Sequence, residues 1–405
     1  MMSPLRKILE LSEKPERIVV GLMSGTSADS IATAVCRARG SASPGAGERV
    51  TLPGPRLNLL HYQEFAFPAA VRQTIIEVNQ LDVRSIAELN VTVGELFAEA
   101  CLRAIEGAGM SRADLDLVGS HGQTVYHHSS VPGTTRATLQ VGDGDVIAEW
   151  TGALVISDFR SRDIAAGGEG APLTPLADRQ FFPSEPEGVG TRRIVLNLGG
   201  IANITVLEPN PAHDFGFDTG PANALLDRLA VRITGGRLTY DRDGEIARQG
   251  LVNEPLLKRM LETDPYLSAP PPKSTGFEMY GDAFLDQAED EHGGSDADLM
   301  ATLTEFTARS IAQAIVRFVL NPPVHLIIVA GGGARNPFLI ERIRKSTLSI
   351  PIRDSADFGI PSLARESMAF ALFADEALMG RPTSMPNITG IRHPAILGKW
   401  SLPPL

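Results

Sequence analysis

Three turns that contain glycine have residue types and a spacing that could bind phosphate groups. They follow apolar stretches of the chain and lie at residues 24–30, 199–200 and 331–333. Glycine permits positive φ angles and lets backbone N–H groups approach an anionic ligand without a Cβ in the way. The pattern favours a nucleotide as ligand, although a chain with 39 glycines also places some of them at strand ends for steric reasons alone.

The first turn carries most of the chemistry. Hydroxyl groups of Ser24, Thr26 and Ser27 surround Gly25, and the carboxylate of Asp29 follows them. A carboxylate suits a hydrated Mg²⁺ ion, while the hydroxyls suit phosphate oxygens. The turn lacks the lysine of GxxxxGK[ST] and the spacing of GxGxxG, so it is neither of those phosphate-binding loops. The sequence therefore predicts nucleotide binding by a hairpin turn.

The elements around the turns indicate a duplicated fold. Apolar runs flank the first turn at residues 18–23 and 31–37, and similar runs flank the second turn at residues 192–198 and 201–207. Each pair predicts a β-hairpin, and residues 326–330 predict another strand before the third turn. Two related α/β domains would each bring a glycine turn to one cleft between them.

A short strand predicted at residues 115–118 delivers residues 119–124. His121 in this segment fits a hydrogen-bonded structural histidine at a strand end as well as it fits a functional one. His127 and His128 have no assigned role, because adjacent residues on a strand point to opposite faces and cannot share a metal.

The composition narrows the class of partner. A hydrophobic fraction of 43% over 405 residues can bury a sizeable core, and this length favours two domains. The net charge of −11 gives no general basic field for a nucleic-acid backbone or an anionic membrane. Two cysteines support neither a disulfide framework nor a zinc site. No stretch has signal-peptide or membrane-spanning length, so we expect a cytoplasmic protein that acts on a small molecule.

Eight blocks of residues in one order resemble the anhydro-N-acetylmuramic acid kinases, a bacterial family of peptidoglycan recycling. Among them are Ser-His-Gly-Gln-Thr around His121 and Phe-Asp-Thr-Gly-Pro around Asp218. The resemblance covers nearly the whole chain and rests on residues 21–27, 119–124, 157–160 with 162–173, 197–203, 217–223, 272–276, 331–336 and 366–371.

The resemblance implies a fold and a reaction. The fold is α/β, with two lobes of the actin-like, sugar kinase and Hsp70 ATPase type, duplicated from a ribonuclease H-like unit, and an active-site cleft between them. We expect the first lobe to comprise residues 1–157 and 360–405 and the second lobe residues 158–359. In the implied reaction, ATP, water and 1,6-anhydro-N-acetylmuramic acid give N-acetylmuramic acid 6-phosphate and ADP, with Mg²⁺ as metal. The resemblance also implies a homodimer, whereas it is the net charge that leads us to expect no nucleic-acid or membrane partner.

Asp218 is the catalytic base that the resemblance implies. A carboxylate there would activate the water that attacks the anomeric carbon, as in half of an inverting glycosidase. The γ-phosphoryl group would replace the proton that an acid gives to the leaving ring oxygen. The residues alone leave another interpretation open, because Asp218 could cap a helix that starts near Pro221.

The resemblance also assigns the binding residues. Its phosphate loop maps onto residues 24–31, with Asp29 beside the metal. The implied nucleotide-binding residues are Ser24, Gly25, Thr26, Ser27, Asp29, Gly199, Gly200, Gly331, Gly332, Gly333 and Asn336. The implied substrate-binding residues are Thr124, Arg160, Arg162 and Glu366. The two arginines suit the lactyl carboxylate of the sugar, whereas Glu366 would equally suit the positive end of a helix that begins there.

Two positions depart from the family pattern. Ser30 stands where glycine is common, which restricts the backbone of the phosphate loop. Phe277 stands where an arginine usually follows Lys-Ser-Thr-Gly, which removes a charge near the cleft.

Two rival functions belong to other classes. The first is a sugar or acid kinase that phosphorylates an ordinary hydroxyl, with Asp218 deprotonating that hydroxyl instead of water. The second is a non-catalytic nucleotide-dependent sensor. The presence of Asp218, Asp29 and Glu366 together argues against the sensor, because a sensor needs a nucleotide site but no positioned base.

Overall fold

The computed structural model describes residues 4–25, 28–40, 56–128, 135–183 and 191–404. The strands within these ranges are β1 (Glu16–Ser24), β2 (Ser30–Arg39), β3 (Leu57–Ala66), β4 (Leu117–His128), β5 (Ala137–Val141), β6 (Leu154–Ser157), β7 (Arg193–Leu198), β8 (Ile201–Leu207), β9 (Phe215–Pro221), β10 (Leu326–Ala330), β11 (Ile352–Asp354) and β12 (Lys399–Ser401).

The helices complete the α/β architecture. They are α1 (Pro4–Glu13), α2 (Ala69–Ile76), α3 (Val83–Gly107), α4 (Gly144–Thr151), α5 (Phe159–Ala165), α6 (Thr174–Phe181), α7 (Asn223–Ile233), α8 (Glu254–Thr263), α9 (Pro265–Ser268), α10 (Asp282–His292), α11 (Asp296–Phe318), α12 (Pro337–Ser346), α13 (Arg365–Leu378) and α14 (Pro386–Thr389). None of the described helices combines the length and apolar character that crossing a bilayer requires.

Contacts divide the chain into two compact units. The first comprises Met1–Phe181 and Ala364–Leu405, and the second comprises Phe182–Leu363. The sequence-based boundaries were 157/158 and 359/360. The segment from 158 to 181 belongs to the first unit because α5 packs against β5 and α6 packs against α13.

The first unit contains a seven-stranded sheet in the order β12-β6-β4-β1-β2-β3, with β5 paired to β4. Strands β1, β2 and β3 are antiparallel neighbours, whereas β4 runs parallel to β1 and β6 parallel to β4. Val20 and Leu22 pack with residues of α3 and α4 in one apolar core. Because side chains alternate along a strand, Gly21 faces the other side of the sheet, which α13 covers.

Two glycines let α13 lie directly on this sheet. A Cβ on Gly21 would lie 1.8 Å from the carbonyl oxygen of Ser367, and one on Gly119 would lie 2.1 Å from that of Phe370. No side chain fits at either distance. The backbone of α13 can lie against the two central strands only because these strand positions are glycine.

The second unit repeats this topology with five strands in the order β11-β10-β7-β8-β9. Strands β7, β8 and β9 are antiparallel neighbours, and β10 and β11 continue the sheet in parallel. Apolar residues of α11 and α12 pack against the sheet, and α7, α8, α10 and α11 share a separate helical core. The shared strand order confirms the duplication predicted from the two hairpins.

Strand β4 is longer than the sequence predicted. The short strand at 115–118 was expected to end where the 119–124 segment begins, but β4 runs through that segment to His128. The register with β1 shifts in this segment, and Gly122 has a φ of +74°. A β-bulge therefore lets the strand continue while it bends.

Candidate active site

Asp218 lies in β9 beside a β-bulge. The register with β8 shifts between Ala202 and Asn203, so that Asn203 faces Asp218 while Ala202 faces Gly220. Thr219 is the extra residue, and a bulge of this kind re-aims the side chains next to it. The helix-capping interpretation of Asp218 is wrong, because α7 begins beyond the strand and its N-cap residue makes no side-chain cap bond.

Three hydrogen bonds hold Asp218 in place. The backbone N–H of Thr275 donates to Oδ2 at 2.9 Å, and the Tyr266 hydroxyl donates to the Asp218 carbonyl at 2.8 Å. The N–H of Asp218 in turn donates to the carbonyl of Lys273 at 3.3 Å. No hydrogen bond from a described residue reaches Oδ1, so this oxygen can accept a proton.

Burial raises the pKa of Asp218 from its ordinary value of 3.8 to about 6. The Thr275 N–H bond and the charge of Lys273 act in the opposite direction, whereas the charge of Glu278 raises this pKa further. A carboxylate with such a pKa is ionised near neutral pH and is a stronger base than an exposed aspartate.

The two glycine turns of the second unit are neighbours. Strands β7 and β10 run parallel and side by side, and each ends at one of the turns. A Cβ on Gly331, whose φ is +85°, would lie 2.8 Å from the carbonyl oxygen of Leu198. A Cβ on Gly333 would lie 2.8 Å from the Cβ of Leu198. The structure therefore brings together residues 199–200 and 331–333, as a phosphate site requires.

Asn223 and Phe277 both contact the turn at Gly199 and Gly200. Asn223 donates from Nδ2 to the carbonyl of Gly199 at 2.8 Å, and a Cβ on Gly200 would meet the Phe277 ring at 2.8 Å. The guanidinium carbon of Arg228 lies 4.9 Å from the centre of that ring. Phe277 stands in place of the expected arginine, but the guanidinium of Arg228 lies over its ring and brings a positive charge to this position.

Asn336 caps helix α12. Its Oδ1 accepts hydrogen bonds from the backbone N–H groups of Phe338 and Leu339, both at 3.1 Å. Gly332 and Gly333 lie just before it in a 3₁₀ turn. The cap occupies the amide oxygen of Asn336, so only its amide nitrogen is left as a donor for a ligand.

In the first unit, hydrogen bonds connect the phosphate loop to the 119–124 segment. The buried Ser24 hydroxyl donates to Oε1 of the buried Gln123 at 2.6 Å. Nε2 of Gln123 donates to the carbonyl of Thr124 at 3.0 Å, and Nε2 of Gln140 donates to the Thr124 hydroxyl at 3.2 Å. The side chains predicted to lie beside the phosphates and beside the sugar therefore belong to one network.

The turn after Ser24 is described in part. Thr26 and Ser27 lie outside the described residues. The N–H of Ala28 donates to the carbonyl of Gly25 at 3.1 Å, and Ala28 has a φ of +51°, which is uncommon for a residue with a Cβ. The backbone is thus tightly turned directly before Asp29.

Asp29 is an exposed carboxylate. Its side chain is 63% exposed, and its Oδ1 lies 2.7 Å from a guanidinium nitrogen of Arg72. Within the described part of the chain no three His, Cys, Asp or Glu residues group together as metal ligands. A single carboxylate fits Mg²⁺, which keeps several waters and takes its other ligands from substrate phosphates.

The buried His121 and the partly buried Arg160 form a hydrogen-bonded pair. Nε of Arg160 donates to Nε2 of His121 at 2.9 Å, and because arginine only donates, the His121 proton is on Nδ1. Nδ1–H can then donate to the carbonyl of Gly122 at 3.0 Å. Burial and the charge of Arg160 hold the pKa of His121 well below its usual range. His121 is therefore a neutral, hydrogen-bonded histidine that orients Arg160.

The charge of Glu366 acts on Arg160, whereas Arg162 is exposed to solvent. Burial lowers the pKa of Arg160 to about 10, and the charge of Glu366 acts against that shift. Glu366 is half-buried in the first turn of α13, and its charge also contributes to the raised pKa of Tyr62. Arg162 is exposed and makes no ion pair with any described residue. The charge of Glu366 thus acts on Arg160, one of the two predicted arginines.

Several residues around these groups had no role in the sequence-based reasoning. They are Gln123, Tyr266, Lys273 and Thr275. Three of them lie inside the blocks that carry the family resemblance, and this was the signal available for them. Tyr266 lies outside the blocks, and only the fold brings its hydroxyl to Asp218.

This chain is similar to several known proteins. The family model described as anhydro-N-acetylmuramic acid kinase matches residues 17–402. A protein of that name from Caldanaerobacter subterraneus subsp. tengcongensis is 37% identical, over 98% of this chain and 100% of the relative. One from Streptomyces avermitilis is 40% identical, over 94% of this chain and 93% of the relative. Among solved structures, a ROK family glucokinase from Streptomyces griseus in complex with glucose and AMPPNP is 14% identical, with a TM-score of 0.37 over 89% of this chain and 99% of that chain.

Proposed function

Because this chain belongs to the anhydro-N-acetylmuramic acid kinase family, we propose that Asp218 is the base that activates water in its reaction. The chain is a kinase of peptidoglycan recycling that converts 1,6-anhydro-N-acetylmuramic acid to N-acetylmuramic acid 6-phosphate at the expense of ATP. Water adds its oxygen to the anomeric carbon, the bond from that carbon to O6 breaks, and O6 receives the γ-phosphoryl group. The proton lost by the water goes to Asp218.

The accessible oxygen of Asp218 carries this proposal. One oxygen of its carboxylate and both of its backbone polar groups are hydrogen-bonded, while Oδ1 receives no hydrogen bond from the described residues. The carboxylate is thus fixed in direction and has one oxygen left to take a proton. Its pKa of about 6 lets it do so at neutral pH.

The binding residues follow from the same family. The backbone N–H groups of the turns at 24–30, 199–200 and 331–333 would bind the nucleotide phosphates. Of the two arginines, Arg160 is the better partner for the lactyl carboxylate, because His121 and the Gly170 carbonyl fix its guanidinium. Thr124 and Glu366 would contact the hydroxyl and amide groups of the sugar.

Asp29 would hold the hydrated Mg²⁺ ion. Its exposed carboxylate offers oxygen, the ligand that Mg²⁺ prefers, and the remaining ligands would be waters and the phosphates of ATP. The bound ion supplies neutralisation of the charge that develops on the transferred phosphoryl group.

A labelled-water experiment tests the role of Asp218. The protein is incubated with the anhydro sugar, ATP and Mg²⁺ in ¹⁸O-labelled water, and the product is read by mass spectrometry. We expect the label at the anomeric hydroxyl and the phosphate on O6. Asp218→Asn should lower kcat by about 10³-fold with nucleotide binding unchanged, since a general base typically contributes that much.

Other outcomes identify the rival functions. Phosphorylation of ordinary N-acetylmuramic acid without incorporation of label would mean that Asp218 deprotonates a sugar hydroxyl. Nucleotide binding with no phosphorylated sugar would favour the sensor. Unchanged kcat in Asp218→Asn would remove the base assignment.

The family resemblance also supports a cytoplasmic homodimer. Sedimentation velocity would test the oligomeric state, because the monomer mass is 43.3 kDa and a dimer has twice that value.

A further inference from the structure

Lys273 lies among three aromatic rings. Its Nζ is 4.5 Å from the centre of the Tyr266 ring, 5.2 Å from that of Phe318 and 5.8 Å from that of Phe217. The ammonium also donates to the carbonyl of Tyr266 at 2.9 Å. Cation–π attraction becomes stronger when the cation is partly desolvated, so this cage fixes the lysine side chain. We refer to the three rings as the aromatic cage.

The residues in contact with Lys273 also contact Asp218 or lie next to it in the chain. Phe217 of the aromatic cage directly precedes Asp218 in β9, and Tyr266 donates its hydroxyl to the Asp218 carbonyl. The carbonyl of Lys273 itself accepts from the N–H of Asp218, and two residues later the N–H of Thr275 donates to Oδ2. Each of these contacts depends on the placement of the 273–275 segment or of the cage.

The charge of Lys273 acts on the same carboxylate. It favours the ionised form of Asp218, which burial and the charge of Glu278 disfavour. The charged groups that act on Lys273 are Asp264 and Asp218, which favour its ammonium form, and Arg317, which together with burial disfavours it. No carboxylate from the described residues forms an ion pair with the Lys273 ammonium, so its charge is shared between Asp264 and Asp218 without a direct ionic contact.

We propose that Lys273 is the positioning residue for Asp218: its ammonium, held in the aromatic cage, fixes the segment that brackets the carboxylate and adds a positive charge to its surroundings. The inference rests on the proposed role of Asp218 as the base. A lysine in the Lys-Ser-Thr-Gly block thus acts through Asp218 rather than by binding a phosphate.

Lys273→Met tests this role, because it removes the charge and keeps a long side chain. Arg317→Met is the matched control: Arg317 lies against the same cluster, with its guanidinium carbon 5.6 Å from the Phe318 ring, but does not act on Asp218. Thermal unfolding and nucleotide binding establish that each variant is folded. The main readout is NMR titration of proteins labelled with ¹³C at aspartate Cγ, in which Asp218→Asn identifies the Asp218 signal.

We expect Asp218 to titrate at higher pH in Lys273→Met than in the wild type, with no such change in Arg317→Met. We also expect kcat/KM for the anhydro sugar to fall by roughly fivefold at pH 6 and hardly at pH 8, because a rise of one unit from a pKa of about 6 lowers the ionised fraction of Asp218 from about one half to about one tenth at pH 6. An unchanged Asp218 titration in Lys273→Met, or an equal shift in Arg317→Met, would overturn the proposal.

A second variant covers the case in which Lys273→Met does not fold. Phe318→Leu removes one ring of the aromatic cage without touching Asp218 or the lysine charge. It should move the Asp218 titration in the same direction by a smaller amount, and an unchanged titration would again overturn the proposal. The NMR readout needs no turnover, so a failure of the proposed function would appear separately, as label incorporation by Asp218→Asn.

Discussion

Asp218 and Asp29 are the two aspartates that the sequence marks most clearly, yet their surroundings are opposite. Asp29 is 63% exposed and pairs with an arginine at the surface of the first unit. Asp218 is half-buried in the second unit, its Oδ2 accepts a hydrogen bond from a backbone N–H, and its pKa is raised to about 6. Burial disfavours the charged form of a carboxylate and makes it a better proton acceptor, whereas an exposed carboxylate can be reached by a hydrated ion. The same side chain thus serves as a candidate metal partner in one place and as a candidate base in the other.

The largest expected difference between the two aspartates is in Mg²⁺ affinity, which replacement of Asp29 should lower. If Asp29 holds the hydrated metal, Asp29→Asn should weaken Mg²⁺ affinity by roughly 10–100-fold, the usual cost of losing an outer metal contact. The velocity should recover as Mg²⁺ is raised, and a Mg²⁺ titration of the steady-state rate measures this.

Glu88→Gln is the matched control for Asp29→Asn. Glu88 is 64% exposed and pairs with Arg84 at 2.8 Å, which is close to the exposure and pairing distance of Asp29. Its Mg²⁺ dependence should be that of the wild type. An Asp29→Asn protein with an unshifted Mg²⁺ titration would contradict the metal assignment.

The pH dependence of the rate should follow Asp218 and not Asp29. A base must be deprotonated, so kcat/KM should be constant above about pH 6 and fall about tenfold for each pH unit below it. The acidic limb should stay in place in Asp29→Asn at saturating Mg²⁺. A wild-type profile that is flat down to about pH 4 would show that the base has an ordinary carboxylate pKa.

The two aspartates should also differ in their effect on stability. Because the folded-state pKa of Asp218 lies above its ordinary value of 3.8, the folded protein binds this proton more tightly than the unfolded chain does. Stability is therefore lost as pH rises from about 4 to about 6 and remains lower above that range.

Asp218→Asn removes this cost, so it should raise the free energy of unfolding by roughly 3 kcal/mol at pH 8 and by less than about 1 kcal/mol near pH 4. Asp29→Asn should change stability by less than about 1 kcal/mol, since surface ion pairs contribute little. Urea unfolding at the two pH values measures both. Equal stabilisation of Asp218→Asn at the two pH values would contradict the assigned burial cost.

The sequence predicted the parts of the fold that are local. The hairpins around residues 24–30 and 199–200 follow from apolar runs interrupted by turn residues, and the structure contains both. The duplicated strand order followed from their recurrence. The bulge that carries β4 through residues 119–124 was missed, because a bulge depends on the partner strand and leaves only a glycine as a local sign.

The sequence supplied candidate residues for the site, but few of the contacts between them. The blocks predicted Asp218, Arg160, Arg162 and Glu366 as site residues, and these roles stay predictions. The structure adds that the charge of Glu366 acts on the partly buried Arg160, whereas Arg162 is exposed. The aromatic cage could not be predicted, since its rings come from β9, α9 and α11, which are far apart in the chain.

The contact between α13 and the first sheet has a consequence for synthesis of the chain. The helix backbone packs against Gly21 and Gly119, but it is made of residues 365–378, after the whole second unit. A ribosome therefore completes 182–363 while this face of the first sheet still lacks its cover. Exposed apolar surface of this kind promotes aggregation of unfinished chains, so the first unit reaches its final packing only when the last part of the chain has emerged.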